Sequence, residues 1–176
     1  DAGLNWTRRL NSVEVYEIAR DPAVPDVLWS ATSQGIYKST NNGVNWTKQT
    51  TSGLPSSNVG RSELAFAPSD GNVVYALFAG GPSFWRTGDG GATWTQMTSG
   101  SNACDGQCWY NMVLRVHRTN PDIVFRGTVH IFRSINGGSS WTDLSNGWGS
   151  NQKVHQDMHH LLMHPQHTET WYAGGD

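Results

Sequence analysis

Short runs rich in apolar residues alternate along this chain with clusters of Gly, Pro, Asn, Asp and Ser. No window keeps the 3.6-residue period of an amphipathic helix, whereas short apolar runs bounded by turn residues are typical of β-strands. The 20 glycines and the 11% of aromatic residues fit the same interpretation. The pattern therefore predicts an all-β protein.

One phrase recurs along the chain and ends each time in Trp. A hydroxyl residue is followed two positions later by Asp or Asn, then two later by Gly, then three later by Trp. Complete copies occupy residues 39–46, 87–94 and 134–141, and a shorter copy, D-A-G-L-N-W, occupies residues 1–6. The Trp residues lie 40, 48 and 47 positions apart. Such periods are typical of repeat proteins, in which similar units stack on one another.

Each copy of the phrase predicts a β-hairpin, because Asp, Asn and Gly tolerate left-handed backbone and hydrogen-bond the main chain of turns. Strand-like residues flank the turns at 35–39 and 45–50, at 84–87 and 93–97, and at 130–134 and 141–144. The Trp then lies in the outgoing strand and can pack back over its turn, which is a structural role. The phrase residues are Asp1, Gly3, Trp6; Ser39, Asn41, Gly43, Trp46; Thr87, Asp89, Gly91, Trp94; and Ser134, Asn136, Gly138, Trp141.

A second phrase, a strand-like run that ends at Pro, repeats out of phase with the first. Because Pro lacks a backbone donor, it belongs at strand ends. Strands are predicted before these prolines at 13–19, 62–66, 111–117 and 154–163, and after them at 27–32, 73–78, 123–127 and 170–173. With the Trp phrase this makes four antiparallel strands per repeat, the pattern of a β-propeller blade. We divide the chain into an outer strand (1–10), blades at 11–50, 51–98 and 99–145, and an incomplete blade (146–176).

The Trp phrase is similar to the Asp-box, or BNR repeat. The chain resembles the β-propellers that carry it: bacterial sialidases, sortilin-type receptors, xyloglucan-degrading endoglucanases, photosystem II assembly factors and secreted bacterial BNR-repeat proteins labelled glycosyl hydrolases. Asn41 and Asn136 stand where that family prefers Asp, and Asn can serve the same turn. The resemblance implies that the box is a structural device on the outer part of each blade. It implies no catalysis by the box itself.

The two ends of the sequence fall inside repeats, so we expect an arc that belongs to a longer propeller. Propellers usually have ~4 to 8 blades, and three whole blades plus parts of others are predicted here. In an alternative arrangement, residues 5–10 pair as the outer strand of the incomplete blade and close a small four-bladed ring. That ring would keep an open strand edge.

Candidate chemistry is concentrated in residues 154–165, V-H-Q-D-M-H-H-L-L-M-H-P. His155, Asp157 and His159 alternate and would share one face of a strand. The stretch, followed by Gly-Gly-Asp, is similar to a segment of the multi-blade proteins named above, in which it would form an innermost, channel-facing strand. Three interpretations are open: a polar ladder between strands, a ligand site, or a metal site completed from other blades, since three residues of one strand rarely reach one ion.

Two kinds of enzyme can be compared with the residues. A sialidase would need an Arg cluster and a Tyr nucleophile, and the arginines show no such signature, so this activity is disfavoured. An inverting endoglucanase needs two carboxylates ~6.5 to 9.5 Å apart, for which Asp157 and Asp176 are the catalytic candidates. Trp109 and Tyr110 could form a sugar-stacking platform, with His155 and His159 as further ligand-binding residues; the alternative for the two aromatic residues is packing between blades. No cofactor is predicted.

Cys104 and Cys108 bracket Asp105-Gly106-Gln107 in a segment that looks like an insertion between blades. A turn could bring them within disulfide reach, which would staple an exposed loop and suggest export. Two free thiols are the alternative; a metal site lacks a second pair of ligands. A net charge of −2 without basic runs argues against nucleic-acid binding, and no apolar segment is long enough to span a membrane.

Three function classes follow. The first is an extracellular or periplasmic propeller module that binds a polysaccharide or protein ligand through its loops and channel mouth. The second is part of a glycoside hydrolase of the endoglucanase or xyloglucanase type. The third is a scaffold similar to photosystem II assembly factors. Fold alone does not decide among them, because function lies in sites placed on folds.

Overall fold

The structure, a computed structural model, describes residues 3–50, 53–57, 59–80, 83–97, 103–145 and 153–176. Asp1 lies outside these ranges. The described residues form fourteen β-strands and no helix, and no helix that could span a membrane is found among them. The strands are β1 (Val15–Arg20), β2 (Leu28–Thr32), β3 (Gly35–Ser39), β4 (Thr47–Lys48), β5 (Ser62–Ala67), β6 (Asp70–Phe78), β7 (Phe84–Thr87), β8 (Thr95–Gln96), β9 (Val113–Val116), β10 (Val124–Gly127), β11 (Ile131–Ser134), β12 (Thr142–Asp143), β13 (Met158–Met163) and β14 (Trp171–Gly175).

The described strands form three four-stranded antiparallel sheets and one two-stranded sheet. Sheet 1 has the order β1-β2-β3-β4, sheet 2 the order β5-β6-β7-β8 and sheet 3 the order β9-β10-β11-β12, while β13 pairs with β14. The first strands β1, β5, β9 and β13 contact one another in that order. Each sheet therefore stands beside the next with its first strand innermost, which is the arrangement of propeller blades.

The strands agree with the predicted ones except at three kinds of position, one of which is the start of β13, predicted at residue 154 and found at Met158. The strands that follow the Trp phrases contain two residues each, because the turn extends as far as the Trp. The predicted strand at residues 5–10 is not formed, and no described residue before Val15 belongs to a strand. A strand needs a paired neighbour for stability, and none of the described strands pairs with this segment.

The three complete Trp phrases form the same hydrogen-bonded hairpin, which we call the Trp hairpin (residues 39–46, 87–94 and 134–141). In the second hairpin, Thr87 Oγ1 accepts a hydrogen bond from the amide of Gly91 (3.0 Å), and Asp89 Oδ1 accepts one from the amide of Thr93 (2.9 Å). The equivalent bonds occur in the other two hairpins at 2.8 to 2.9 Å. Asn replaces Asp without loss of the backbone bond, as its side-chain oxygen makes the same contact.

The Trp hairpins also join neighbouring sheets. Trp94 of sheet 2 packs on Trp29 of sheet 1, with ring centroids 5.8 Å apart, and Trp141 of sheet 3 packs edge-on against Phe84 of sheet 2 at 5.0 Å. Gly91 lies so close to Trp29 that a Cβ atom would meet its ring at 2.2 Å. The prediction that each Trp packs over its own turn therefore omitted half of its role, which is to fill the space between two blades.

Cys104 and Cys108 are joined by a disulfide, with Cα atoms 5.0 Å apart. The loop that the bridge closes is exposed at Asp105 and Gly106, as expected, whereas the two cysteines are only 3% exposed and belong to the core between sheets 2 and 3. Arg126 reaches the same loop, donating to the carbonyl of Ala103 with its guanidinium 3.9 Å from Asp105. Burial lowers the pKa of Arg126 to about 10. The loop is thus a fixed part of the fold next to the residues described below.

Candidate functional site

The starts of β9 and β13 and the end of β14 meet at one end of the innermost strands. Tyr110 and Asn111 precede β9, Asp157 and His159 stand at the start of β13, and Asp176 follows β14. Because β13 packs beside β9, these five side chains come together. We call them the channel-mouth cluster.

Asp176 connects two elements of the cluster. Its Oδ2 accepts a hydrogen bond from the Tyr110 hydroxyl at 3.0 Å, and its Oδ1 lies 3.1 Å from His159 Nε2. The rings of Tyr110 and His159 pack edge to face, with centroids 4.9 Å apart. Three residues that the sequence nominated separately therefore form one hydrogen-bonded group.

Asp157 joins the cluster through Asn111, whose side-chain amide donates to Asp157 Oδ1. Asp157 has φ +62°, in the left-handed region. The prediction that His155, Asp157 and His159 share one face of a strand is therefore wrong: β13 begins at Met158, and the turn at Asp157 interrupts the alternation. The exposed His155 contacts the main chain of Gln156, and no described contact joins it to the cluster.

Asp176 and Asp157 both raise the pKa of the Tyr110 hydroxyl. The pKa of Tyr110 is raised, first because its hydroxyl donates to Asp176, and also through the negative charges of Asp176 and Asp157. Tyr110 is therefore a neutral hydrogen-bond donor at neutral pH. Among the described residues, no group of three or more His, Cys, Asp or Glu side chains is arranged to hold a metal ion.

Trp109 provides a large apolar surface beside these polar groups. Its side chain is 72% exposed, and its ring lies 5.6 Å from that of Tyr110, which is 40% exposed. The alternative of packing between blades therefore applies to Tyr110, which contacts His159 of the next sheet, and not to Trp109, which is largely exposed. Trp109 follows the disulfide directly, and Arg61 holds the next residue by donating to the Tyr110 carbonyl at 2.6 Å. The exposed ring thus stands on a fixed backbone.

Glu63 and Glu17 form a carboxylate pair that was not predicted from the sequence. Glu63 of β5 is 6% exposed, and its side chain hydrogen-bonds that of Glu17 of β1. Burial and the charge of Glu17 raise the pKa of Glu63 to about 8, although Arg115 and Arg61 oppose the shift. Aligning the repeats could have revealed the pair, because Glu17 and Glu63 occupy the same position in the successive first strands β1 and β5.

Comparison with known proteins gives relatives for parts of the chain. No family model matches it. A xyloglucanase of Paenibacillus sp is 30% identical over 52% of this chain and 10% of its own length. Among solved structures, a GH74 enzyme of Niastella koreensis superposes with a TM-score of 0.68 and 18% identity, over 92% of this chain and 26% of that one. YCF48 bound to D1 peptide superposes with a TM-score of 0.64 and 16% identity, over 90% and 48%.

The chain adopts a β-propeller fold. These superpositions include all but a tenth or less of the chain, and the four-stranded antiparallel sheets match propeller blades in both structures. The chain spans between a tenth and about half of the length of the three proteins. At this level of identity the structural likeness shows the fold, and function has to be argued from the site.

Proposed function

We propose that this chain is an Asp-box propeller module that binds polysaccharide at the channel mouth. The exposed Trp109 ring beside the channel-mouth cluster carries this proposal. An aromatic face takes up the apolar face of a sugar ring, and Asp176, Asp157 and the Tyr110 hydroxyl offer acceptors and a donor for sugar hydroxyls. Because Arg61 and the disulfide hold the backbone on both sides of Trp109, little ordering is needed upon binding.

The comparisons support a plant-type β-glucan as the first ligand to test. The Paenibacillus relative bears the name xyloglucanase, and its similarity covers about half of this chain. An extracellular or periplasmic location agrees with such a ligand and with the buried disulfide, since disulfides persist in oxidising compartments.

The proposal is tested by titrating the protein with xyloglucan oligosaccharides in a calorimeter. Trp109→Ala should weaken binding about tenfold or more, because stacking of one ring contributes much of such an interface. Trp6→Ala is the matched control, as Trp6 is 90% exposed and lies far along the chain from the cluster. Equal affinity of the Trp109→Ala variant and the unchanged protein would contradict the proposal.

A second candidate, glycoside hydrolysis, is favoured by one observation. Asp157 and Asp176 lie close enough to the same phenol for both to raise the pKa of Tyr110, and hydrolysis needs two carboxylates that flank one bond. In this case Asp157→Asn and Asp176→Asn should each abolish the release of reducing ends from xyloglucan, while thermal stability changes little. A binding module would retain ligand affinity in at least one of these variants and release no reducing ends.

A scaffold function similar to that of photosystem II assembly factors gains no specific support from the site. The likeness to YCF48 bound to D1 peptide concerns the fold, at 16% identity. Binding of a peptide library, together with no binding of any glycan, would favour this class over the two above.

A further inference from the structure

A buried carboxylate lies close to the backbone that carries the aromatic residues of the candidate site. Glu63 is 6% exposed, and its side chain hydrogen-bonds that of Glu17 on the neighbouring strand β1. Arg61, two residues before Glu63, reaches both this carboxylate and the segment that precedes β9, residues 108–112. Arg61 therefore connects the carboxylate pair to the segment that contains Trp109 and Tyr110.

The guanidinium of Arg61 is held mainly by the 108–112 segment. Its Nη1 donates to the Tyr110 carbonyl at 2.6 Å, and its Nη2 donates to the Met112 carbonyl at 3.5 Å. The remaining donor, Nε, is buried, and no hydrogen-bond partner for it is found among the described residues. Because a buried donor without a partner is unfavourable, this arrangement leaves Arg61 incompletely satisfied.

The unused donor lies on the side of the guanidinium that can pair with Glu63. The Nε and Nη2 atoms of an arginine point in the same direction and match the two oxygens of an ionised carboxylate. Nη2 already lies 3.9 Å from Glu63 Oε1. A shift of about 1 Å would form a side-on ion pair and satisfy Nε. A neutral carboxyl group is a weaker partner, because one of its oxygens carries a proton.

The surroundings of Glu63 keep it neutral at moderate pH. Burial is the main cause of its raised pKa, and the charge of Glu17 from β1 adds to it. Arg115 from β9 and Arg61 oppose the shift. Glu63 therefore acquires its charge at a pH where ordinary carboxylates are already ionised.

The other strands that pack on β5 place their titratable residues farther along. The strand β2 contains no titratable residue. In β6, Asp70 stands opposite Ala67 and Tyr75 stands opposite Ala65, whereas Glu63 stands opposite an apolar residue. The charge of Glu63 is therefore governed by the three groups named above.

We propose that Arg61 is a positioning residue with two arrangements, and that ionisation of Glu63 moves it from the ligand-binding segment to the carboxylate. With Glu63 neutral, Arg61 fixes the backbone of Tyr110 and thereby the adjacent Trp109 ring. With Glu63 ionised, the side-on pair draws the guanidinium away, and the 108–112 carbonyls lose their donor. Ligand binding must then order this segment, which lowers the affinity. This inference rests on the proposed binding of polysaccharide at Trp109.

The test is calorimetric titration with xyloglucan oligosaccharides at pH 7 and pH 9, on either side of the Glu63 pKa of about 8. The unchanged chain should bind about fivefold or more weakly at pH 9. The pKa of Tyr110 is itself raised, so its hydroxyl stays protonated over this range. Glu63→Gln, which is neutral at both pH values, should bind equally well at both. Circular dichroism of each sample checks that the chain remains folded.

Two further variants make the test specific for this pair. Glu17→Gln removes a charge that raises the pKa of Glu63, so the midpoint of the affinity loss should move to lower pH. Glu169→Gln, at an exposed carboxylate, is the control and should keep the midpoint of the unchanged chain. A pair with only a structural role would change stability without moving this midpoint. Equal affinity of the unchanged chain at pH 7 and pH 9 would overturn the proposal, as would an affinity loss that persists in Glu63→Gln.

A measurement without ligand separates failure of this inference from failure of the proposed function. The indole N–H resonance of Trp109, assigned with Trp109→Phe, should shift with a midpoint near pH 8 in the unchanged chain and stay constant in Glu63→Gln. If no oligosaccharide binds at either pH while the resonance shifts in this way, the proposed function fails and the coupling stands. If oligosaccharide binds and neither its affinity nor the resonance depends on Glu63, the coupling alone fails. A resonance that does not shift would overturn the coupling whether or not a ligand binds.

Discussion

The interface between sheets 1 and 2 and the cleft between sheet 3 and the β13–β14 pair are built from equivalent strands, yet one is filled and the other is open. In the filled interface, Trp29 is 1% exposed beneath Gly91 and Trp94. In the open one, Phe125 lies against Trp171 with centroids 4.0 Å apart, next to a cavity of about 290 Å³. The difference is the Trp hairpin that the next sheet supplies.

The repeated Trp fills the space between two sheets, a role that cannot be seen in a single hairpin. Each hairpin is held together by its own hydrogen bonds, and the Trp residues of the second and third hairpins also pack against the preceding sheet. A repeat protein derives much of its stability from such nearest-neighbour contacts. The glycine of the phrase is needed for its left-handed turn and, in sheets 2 and 3, for its close approach to an aromatic ring.

The largest effect is expected for Gly91→Ala. The residue has φ +90°, and a Cβ would lie 2.2 Å from the Trp29 ring, so the free energy of unfolding should fall by about 3 kcal/mol or more. Gly43→Ala is the matched control: its φ is +80°, and its new Cβ would meet Leu28 at an ordinary 3.4 Å. Gly43→Ala should lower the free energy of unfolding only through backbone strain, by about 1 to 2 kcal/mol.

Urea denaturation of both glycine variants measures this difference. Equal losses at Gly91 and Gly43 would mean that the left-handed turn alone requires glycine. The close packing between sheets would then contribute nothing measurable, and the comparison would fail.

Trp94→Ala should come next and distinguish the filled position from an exposed one. Trp94 is 5% exposed against Trp29, and its removal should cost roughly 3 to 5 kcal/mol. Trp6→Ala removes the same side chain from a 90% exposed position and should change the stability of the monomer by less than about 0.5 kcal/mol. Thermal unfolding at low protein concentration checks both, and a large effect at Trp6 would contradict the described geometry.

A smaller, pH-dependent effect should come from Glu63, which is buried where the corresponding His160 of β13 is exposed. The pKa of Glu63 is about 8 in the folded chain against an ordinary 4.5. Its contribution to stability is therefore fully present below pH 4.5 and is lost as the pH rises to 8. This loss should be on the order of 2 to 4 kcal/mol.

Glu63→Gln should remove this part of the pH dependence and leave the protein more stable than the unchanged chain at pH 8. Glu169→Gln, an exposed carboxylate at the open cleft, is the control and should leave the pH profile unchanged. Parallel pH profiles for the unchanged chain and Glu63→Gln would show that Glu63 ionises normally.

The sequence nominated five residues of the candidate site, but neither Asn111 nor the geometry that joins them could be predicted. Asp157, Asp176, His159, Trp109 and Tyr110 were nominated as separate stretches, and their contacts depend on β13 packing beside β9, which no local pattern encodes. The strand predicted at His155 failed because alternation cannot reveal a left-handed residue such as Asp157. Glu63 was missed because burial, rather than residue type, raises its pKa.

The repeat, the all-β class, most strand positions and the turn chemistry of the Trp hairpins could be predicted from the residue pattern, because they depend on residues close together in the chain. The tertiary structure alone decided which Trp residues are buried, where the carboxylates meet a shared phenol, and which interface is left open. Those properties arise from contacts between sheets: Trp94 and Trp6 end similar phrases in the sequence, but Trp94 packs on Trp29 whereas Trp6 is 90% exposed.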